Sequence, residues 1–350
     1  MICAKAPARI CLFGDHQDYL NLPVIAASID RYISIEAQPN QQGVLNLNLI
    51  DLGIKRQIAL LPAQVEKGDY LCSTLSILHK RQITLTSGYD IHIHSEIPVN
   101  AGVSSSSALI VAFIRFIVQA TETEASNLQI ANWSHEAEVE FFNEPGGIMD
   151  HYSIALRGLR LIEPKTRFTE EFLNPHNDLL LVHSGLPKST LGVLGKAKQY
   201  ALEAVAEVTK HHPEFRLEDA VKSDIKNFKP ILSTLLFPYF EAAIENHLIT
   251  KEAISIYKNR AKNDTTSKKL EGLMERHQHY LDTAIKNTPE LMRIQMKEAK
   301  NAGAKAVKVM GSGGGGCFII LAQKENHEEI TRAVLAQKAK FVEPIQITNH

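Results

Sequence analysis

The sequence predicts an α+β protein of two domains, on three observations. At 350 residues the chain exceeds what a single hydrophobic core ordinarily serves. Residues 1–60 alternate short β-rich runs with turns. Residues 190–300 carry long amphipathic helical patterns, after which the chain returns to strands. The change of pattern sets an N-terminal domain over 1–175 and a C-terminal domain over 176–350.

Taken in order, "ARICLFG", "PVIAASID", "YISIEAQ" and "VLNLNLIDL" fit strands, with period-2 alternation clearest in the last. "YLCSTLSILHKR" fits a short amphipathic helix. "YDIHIHSEI" alternates so that His92 and His94 share one face of a strand. With no third ligand nearby, the pair reads as a solvated edge strand and not as a metal site. "ALIVAFIRFIVQAT" is apolar nearly all round, as a helix buried on most sides would be, and "NLQIANWSHEAEVEFF" has 3.6-residue spacing. "IMDHYSIALRGLRLIEP" reads as a short helix or bend followed by a strand or hairpin. A strand in "NDLLLVHSG" opens the second half, strands flank "MGSGGGG", and "EEITRAVLAQKA" closes as a helix.

Composition narrows the function classes. Apolar residues make up 44%, charged residues 22%, and the net charge is −1, so the chain lacks the field that holds nucleic acid or an anionic membrane. No apolar run approaches the ~20 residues of a membrane span, and "MICAKAPARICLFG" lacks the basic segment and long apolar core of a secretion signal. The expectation is a cytoplasmic protein, monomer or homodimer, with a small-molecule substrate. Cys3, Cys11, Cys72 and Cys317 have no CxxC spacing, which argues against both disulfides and a zinc site.

Two loops carry the chemistry. "PVNAGVSSSSAL" passes from a strand-like run straight into a buried helix, so its backbone must be held tightly. Gly102 permits a dihedral that a Cβ forbids. Ser104, Ser105, Ser106 and Ser107 are too short to block a phosphate at the positive end of the helix, and their hydroxyls can bond phosphate oxygens or Mg²⁺. No lysine follows, so this is not the GxxxxGK[ST] loop. "MGSGGGGCFIIL" is a second glycine-rich loop, in which Gly311, Gly313 and Gly314 would let backbone approach a nucleotide. In "AEVEFFNEPGGIMDHY", Glu138 and Asp150 supply carboxylates able to face a bound substrate.

In this order, "KAPARICLFGDHQDY", "PVNAGVSSSSAL" and "GAKAVKVMGSGGGGCFIIL" resemble motifs 1, 2 and 3 of the GHMP kinases, and "GGIMD" is similar to the galactokinase segment. The resemblance implies a ribosomal-protein-S5-like N-terminal α/β domain and a ferredoxin-like C-terminal domain with the site between them. It also implies ATP and Mg²⁺, with Ser106 and Glu138 on the metal, Asp150 as the base or the group that orients the acceptor hydroxyl, and Arg9 beside the transferred phosphoryl group. Asn100 replaces the first glycine of motif 2, and Ser107 replaces its usual alanine.

For the acceptor, "GDHQDY" is similar to the galactokinase G-E-H-x-D-Y, which assigns Asp15, His16 and Asp18 to sugar hydroxyls and implies a sugar 1-phosphate product. Carboxylates suit a polyol and would repel mevalonate. "SGLPKST" looks more like mevalonate kinases, and its Lys188 suits an acidic acceptor, so mevalonate and a uronate stay open. A non-catalytic ligand sensor of galactokinase type is the alternative of another class. The presence of Arg9, Ser106, Glu138 and Asp150 together weighs against it.

Overall fold

A computed structural model describes residues 1–176, 178–188, 190–259 and 264–348. In the first half, β1 (Ile2–Phe13) runs antiparallel to β2 (Val24–Asn40). The two runs expected as separate strands over 23–38 are one continuous β2. The register slips between Pro7 and Ala8, where proline cannot donate to the ladder, and again between Cys11 and Phe13. β3 (Val44–Leu49), β4 (Ile54–Ala59), β5 (Gly88–Ser95), β6 (Leu159–Glu163) and β7 (Phe168–Phe172) complete a sheet of order β4-β3-β5-β2-β6-β7, with β1 also on β2. The edge-strand expectation for His92 and His94 is therefore corrected. β5 lies inside the sheet, parallel to β3 and antiparallel to β2, and its histidines are exposed because they occupy the open face.

α1 (Tyr70–His79), α2 (Ser105–Ala120), α3 (Asn127–His135) and α4 (Met149–Leu156) complete this half, and α2 packs on β1 and β2. The all-round apolar pattern of α2 is explained by its burial: Phe113, Ile114 and Phe116 are fully enclosed. After β8 (Leu179–His183) come α5 (Thr190–His211), α6 (Lys222–Phe228), α7 (Phe237–Lys258), α8 (Asp264–Tyr280) and α9 (Glu290–Asn301). β9 (Ala306–Val309), β10 (Cys317–Leu321), α10 (His327–Ala336) and β11 (Phe341–Ile345) follow. The second sheet has order β11-β8-β10-β9 with every pair antiparallel, which is the βαββαβ ferredoxin-like arrangement.

The sheets change over between Phe172 and Leu179, and this break supports a proposed division near residue 175. The largest core nevertheless crosses it, joining Phe13, Phe113 and Tyr152 to Leu181, Met310 and Ile319. The chain end also returns to the first half, where Ile347 bridges Ile29 and the Thr348 and Ser28 hydroxyls lie 2.6 Å apart. β4, β7 and β11 are missed by the sequence reading, because β4 and β7 are largely exposed and polar and β11 carries Pro344 at a sheet edge. Among the described residues no helix is long and apolar enough to cross a membrane.

Candidate active site

A cleft of about 800 Å³ lies where the serine loop, the turn after β1 and the glycine-rich loop meet. The serine loop is held by left-handed backbone at Asn100 (φ 54°), Gly102 (φ 86°) and Ser104 (φ 61°). Asparagine tolerates this region better than most residues, so Asn100 keeps a path that a glycine would also take. α2 then begins at Ser105 with no side-chain cap, and its first backbone bond to Ser104 comes from Ala108, at 3.0 Å. The N–H groups of Ser105, Ser106 and Ser107 are thus the unpaired donors of a helix start, on the wall of the cleft.

Asp150, in the first turn of α4, is fixed from two sides. Its Oδ1 accepts from Arg9 Nε at 2.7 Å and its Oδ2 from Ser104 Oγ at 2.6 Å. Arg9 is 2% exposed, and its Nη1 donates to the Gly102 carbonyl at 2.7 Å, so one cation ties β1, the serine loop and α4 together. Burial alone would raise the Asp150 carboxyl, but the Arg9 guanidinium and the hydrogen bonds hold it well below the usual carboxylate range.

Glu138 sits where the helix after α3 winds one wider turn. Its Oε2 accepts from Ser107 Oγ at 2.6 Å and lies 2.7 Å from His151 Nε2. Burial would raise its carboxyl as well, yet the bonds from His151, Ser106 and Ser107 lower it. Two serines expected at a phosphate are therefore otherwise engaged through their hydroxyls, Ser104 with Asp150 and Ser107 with Glu138. Ser105 and Ser106 line the cleft with them, and Ser106 also bonds Glu138.

Residues 15–19 divide. Asp18 lines the cleft, with Oδ1 accepting from the Tyr19 N–H at 2.9 Å, and a Cβ at Gly147 would collide with its carboxylate. Burial, then the nearby Asp150 charge, push Asp18 up to about 6. Asp15 requires a correction. It is fully enclosed, pairs with the equally buried Lys308 Nζ, and accepts from the Gly311 N–H at 2.7 Å, so it does not face the cleft. His16 reaches the wall, but both ring nitrogens have protein partners: Nδ1 with Tyr19 Oη at 3.0 Å, and Nε2 with the Ser312 carbonyl and Asn287 Nδ2, each at 3.2 Å. Burial lowers it to about 4, so it is neutral and serves as a buttress with no nitrogen to spare.

The glycine-rich loop is corrected in part. Gly311 lines the cleft beside Arg9, whereas Gly313 and Gly314 turn away from it. A Cβ at Gly313 would strike Asn287, and the Gly314 N–H donates to the Asn287 carbonyl at 2.6 Å. Gly315 and Gly316 press on Pro187 and Ala101 in the same way. The run of glycines is a tight clasp of backbone on backbone. Lys188 lines the cleft next to Gly102, and burial, then Arg9, lower it to about 8.

Residues 69–158 match the family described as GHMP kinases N terminal domain, and residues 263–340 match GHMP kinases C terminal. Residues 2–39 match the galactokinase galactose-binding signature. The chain belongs to the GHMP kinases. Members of this family are ATP-dependent phosphotransferases. A mevalonate kinase of Thermococcus onnurineus is 27% identical over 96% of this chain and 93% of its own length. A galactokinase of Thermococcus kodakarensis is 22% identical over 94% and 91%. The solved structure of Lactococcus lactis galactokinase with galactose superimposes with a TM-score of 0.87 at 19% identity, covering 99% of this chain and 93% of that one.

This GHMP kinase also relies on polar residues that the sequence reading assigned no role. Lys308 closes the buried pair with Asp15 across 293 positions of sequence. Asn287 follows Lys286, which is held at φ 58°, and joins His16 to the glycine loop. His151 reaches Glu138. His151, adjacent to Asp150, and Lys308, inside the third motif-like run, lie in stretches the sequence singled out, although nothing local marks what they pair with. Lys308 and Asn287 are polar residues whose partners Asp15 and His16 lie far away in sequence.

Proposed function

We propose that this GHMP kinase transfers the γ-phosphate of ATP to the anomeric hydroxyl of a monosaccharide, with Asp150 orienting that hydroxyl and Arg9 stabilising the transferred group. The observation that carries the acceptor class is Asp18, a cleft carboxylate within electrostatic reach of Asp150, whose own cation Arg9 is already engaged. A neutral polyol can donate to Asp18, whereas an anionic acceptor would face two carboxylates. The galactose-binding signature over 2–39 supports the same reading. Asp150, held ionised by Arg9 and Ser104, is a weak base, which favours orientation of the hydroxyl over lasting capture of its proton.

The donor set fits Mg²⁺. Ser106 and Glu138 offer hard oxygens on the cleft wall, and among the described residues no group of three or more His, Cys, Asp or Glu converges to form an all-protein cage. That is the arrangement in which Mg²⁺ takes one or two protein oxygens and completes its shell with phosphates and water. When bound, the ion would neutralise charge on the phosphates.

Lys188 supports a second reading. Among the described residues no ion-pair partner for it is seen, and an acidic acceptor such as a uronate or mevalonate would supply one. Two variants separate the readings. Asp18→Asn is expected to raise KM for the acceptor at least tenfold and leave KM for ATP nearly unchanged, and Lys188→Ala is expected to leave acceptor KM within about threefold. A large loss of acceptor affinity in Lys188→Ala with little effect of Asp18→Asn would reverse the assignment.

Asp18 also sets a pH dependence. Its folded value of about 6 lies above the ordinary 3.8, so kcat/KM for the acceptor should fall as pH drops below about 6. The sign for stability is opposite. A raised acid contributes stability at low pH that is lost as pH rises through 6, so at pH 7.5 Asp18→Asn should melt no lower than the parent protein. A marked fall in its Tm at that pH would contradict the burial of an ionised Asp18.

A further inference from the structure

His151 has no part in the proposed reaction, yet it is 2% exposed and follows Asp150 directly on α4. Its Nε2 lies 2.7 Å from Glu138 Oε2, the same oxygen that accepts from Ser107 at 2.6 Å. Two donors on one oxygen fix the rotation of the carboxylate and leave Oε1 outside both bonds. The other ring nitrogen, Nδ1, is buried and has no partner among the described residues, so a proton there would be unsatisfied. The tautomer that fits this geometry carries its proton on Nε2 and donates it to Glu138. His135 braces the ring edge-on at 5.3 Å and 82°, and is itself anchored through Nδ1 to Glu140 Oε1 at 3.1 Å.

We propose that His151 is a positioning residue, whose Nε2–H holds the Glu138 carboxylate in the orientation in which, beside Ser106, it receives the divalent cation of the nucleotide. This rests on the reading of Ser106 and Glu138 as the cation's protein ligands. A packed core histidine would support the fold alone. A positioning histidine governs cation affinity through the carboxylate it orients, as groups bonded to metal-bound carboxylates do.

The test is calorimetric binding of the ATP analogue AMP-PNP, with Mg²⁺ and in EDTA, to the intact protein and to His151→Leu, His151→Gln and Glu138→Gln. The expected result is that His151→Leu weakens Mg²⁺-dependent binding about 10- to 100-fold and leaves binding in EDTA within about twofold. His151→Gln, which keeps an N–H donor, should recover most of the loss. Adding His151→Leu to Glu138→Gln should cost little more, because the histidine acts through that carboxylate. Should His151→Leu not fold, His151→Asn takes its place, since its amide is too short to reach Glu138. Equal losses with and without Mg²⁺, or Mg²⁺-dependent binding within twofold of the parent, would overturn the proposal. An undiminished Mg²⁺ dependence in Glu138→Gln would instead remove the cation assignment on which it rests.

Discussion

Asp150→Asn is expected to lower kcat by about 10²- to 10⁴-fold while leaving ATP affinity nearly unchanged. The carboxylate is proposed to meet the acceptor hydroxyl, and its two oxygens are aimed by Arg9 at 2.7 Å and Ser104 at 2.6 Å. An amide keeps the volume but turns one acceptor into a donor, which conflicts with either Arg9 or the acceptor. A stability loss should accompany the kinetic one, because Arg9 is 2% exposed and would be left without its anion. Ser104→Ala separates the effects, since it removes one bond and retains the ion pair. The pair's own pH dependence has a definite sign. Asp150 is depressed below 3.8, so its contribution to stability is present through neutral pH and disappears only as strongly acidic conditions protonate it. Steady-state kinetics beside thermal melting check this. A folded Asp150→Asn protein with undiminished kcat would remove Asp150 from the reaction.

Lys308→Met is expected to destabilise the protein by about 3–5 kcal/mol, the usual consequence of leaving one member of a buried ion pair unpaired. Both Lys308 and Asp15 are fully enclosed. Burial would raise the Asp15 carboxyl, but Lys308, together with His277 and the Cys11 thiol, holds it below its ordinary value. The effect reaches the cleft as well, since the other Asp15 oxygen receives the Gly311 N–H at 2.7 Å, and Gly311 stands beside Arg9. Asp15→Asn together with Lys308→Met should recover much of the loss by removing both charges. Denaturant melts of the single and double variants provide the measurement. A single variant as stable as the parent would mean that water or another group compensates Asp15.

What the sequence made legible was local. The serine run, Arg9, Glu138 and Asp150 lie in short stretches whose residue types carry their own chemistry, and the structure brings them to one cleft. Asp15 could not be separated from Asp18 by sequence, because the difference is made by Lys308, which lies 293 residues away. His16 was equally ambiguous, since the groups that occupy its nitrogens include Asn287 and Ser312. Glycine spacing was legible as a tight loop, but not what it is tight against. Gly313 and Gly314 pack on Asn287, which lies outside the quoted motifs. Among the strands, alternation identified β3 and β5, while the mostly exposed β4 offered no apolar period to read.

Acceptor identity is the central claim, and relatives named as galactokinase and as mevalonate kinase match this chain over similar lengths. ADP release measured across galactose, other hexoses, pentoses, uronates and mevalonate tests it most directly. The prediction is turnover with a neutral monosaccharide, absent with mevalonate, and a product that has lost its reducing end to phosphate. Robust turnover of mevalonate with no turnover of any sugar would contradict it, and Asp18 would then belong to the shape of the cleft and not to the grip on the acceptor.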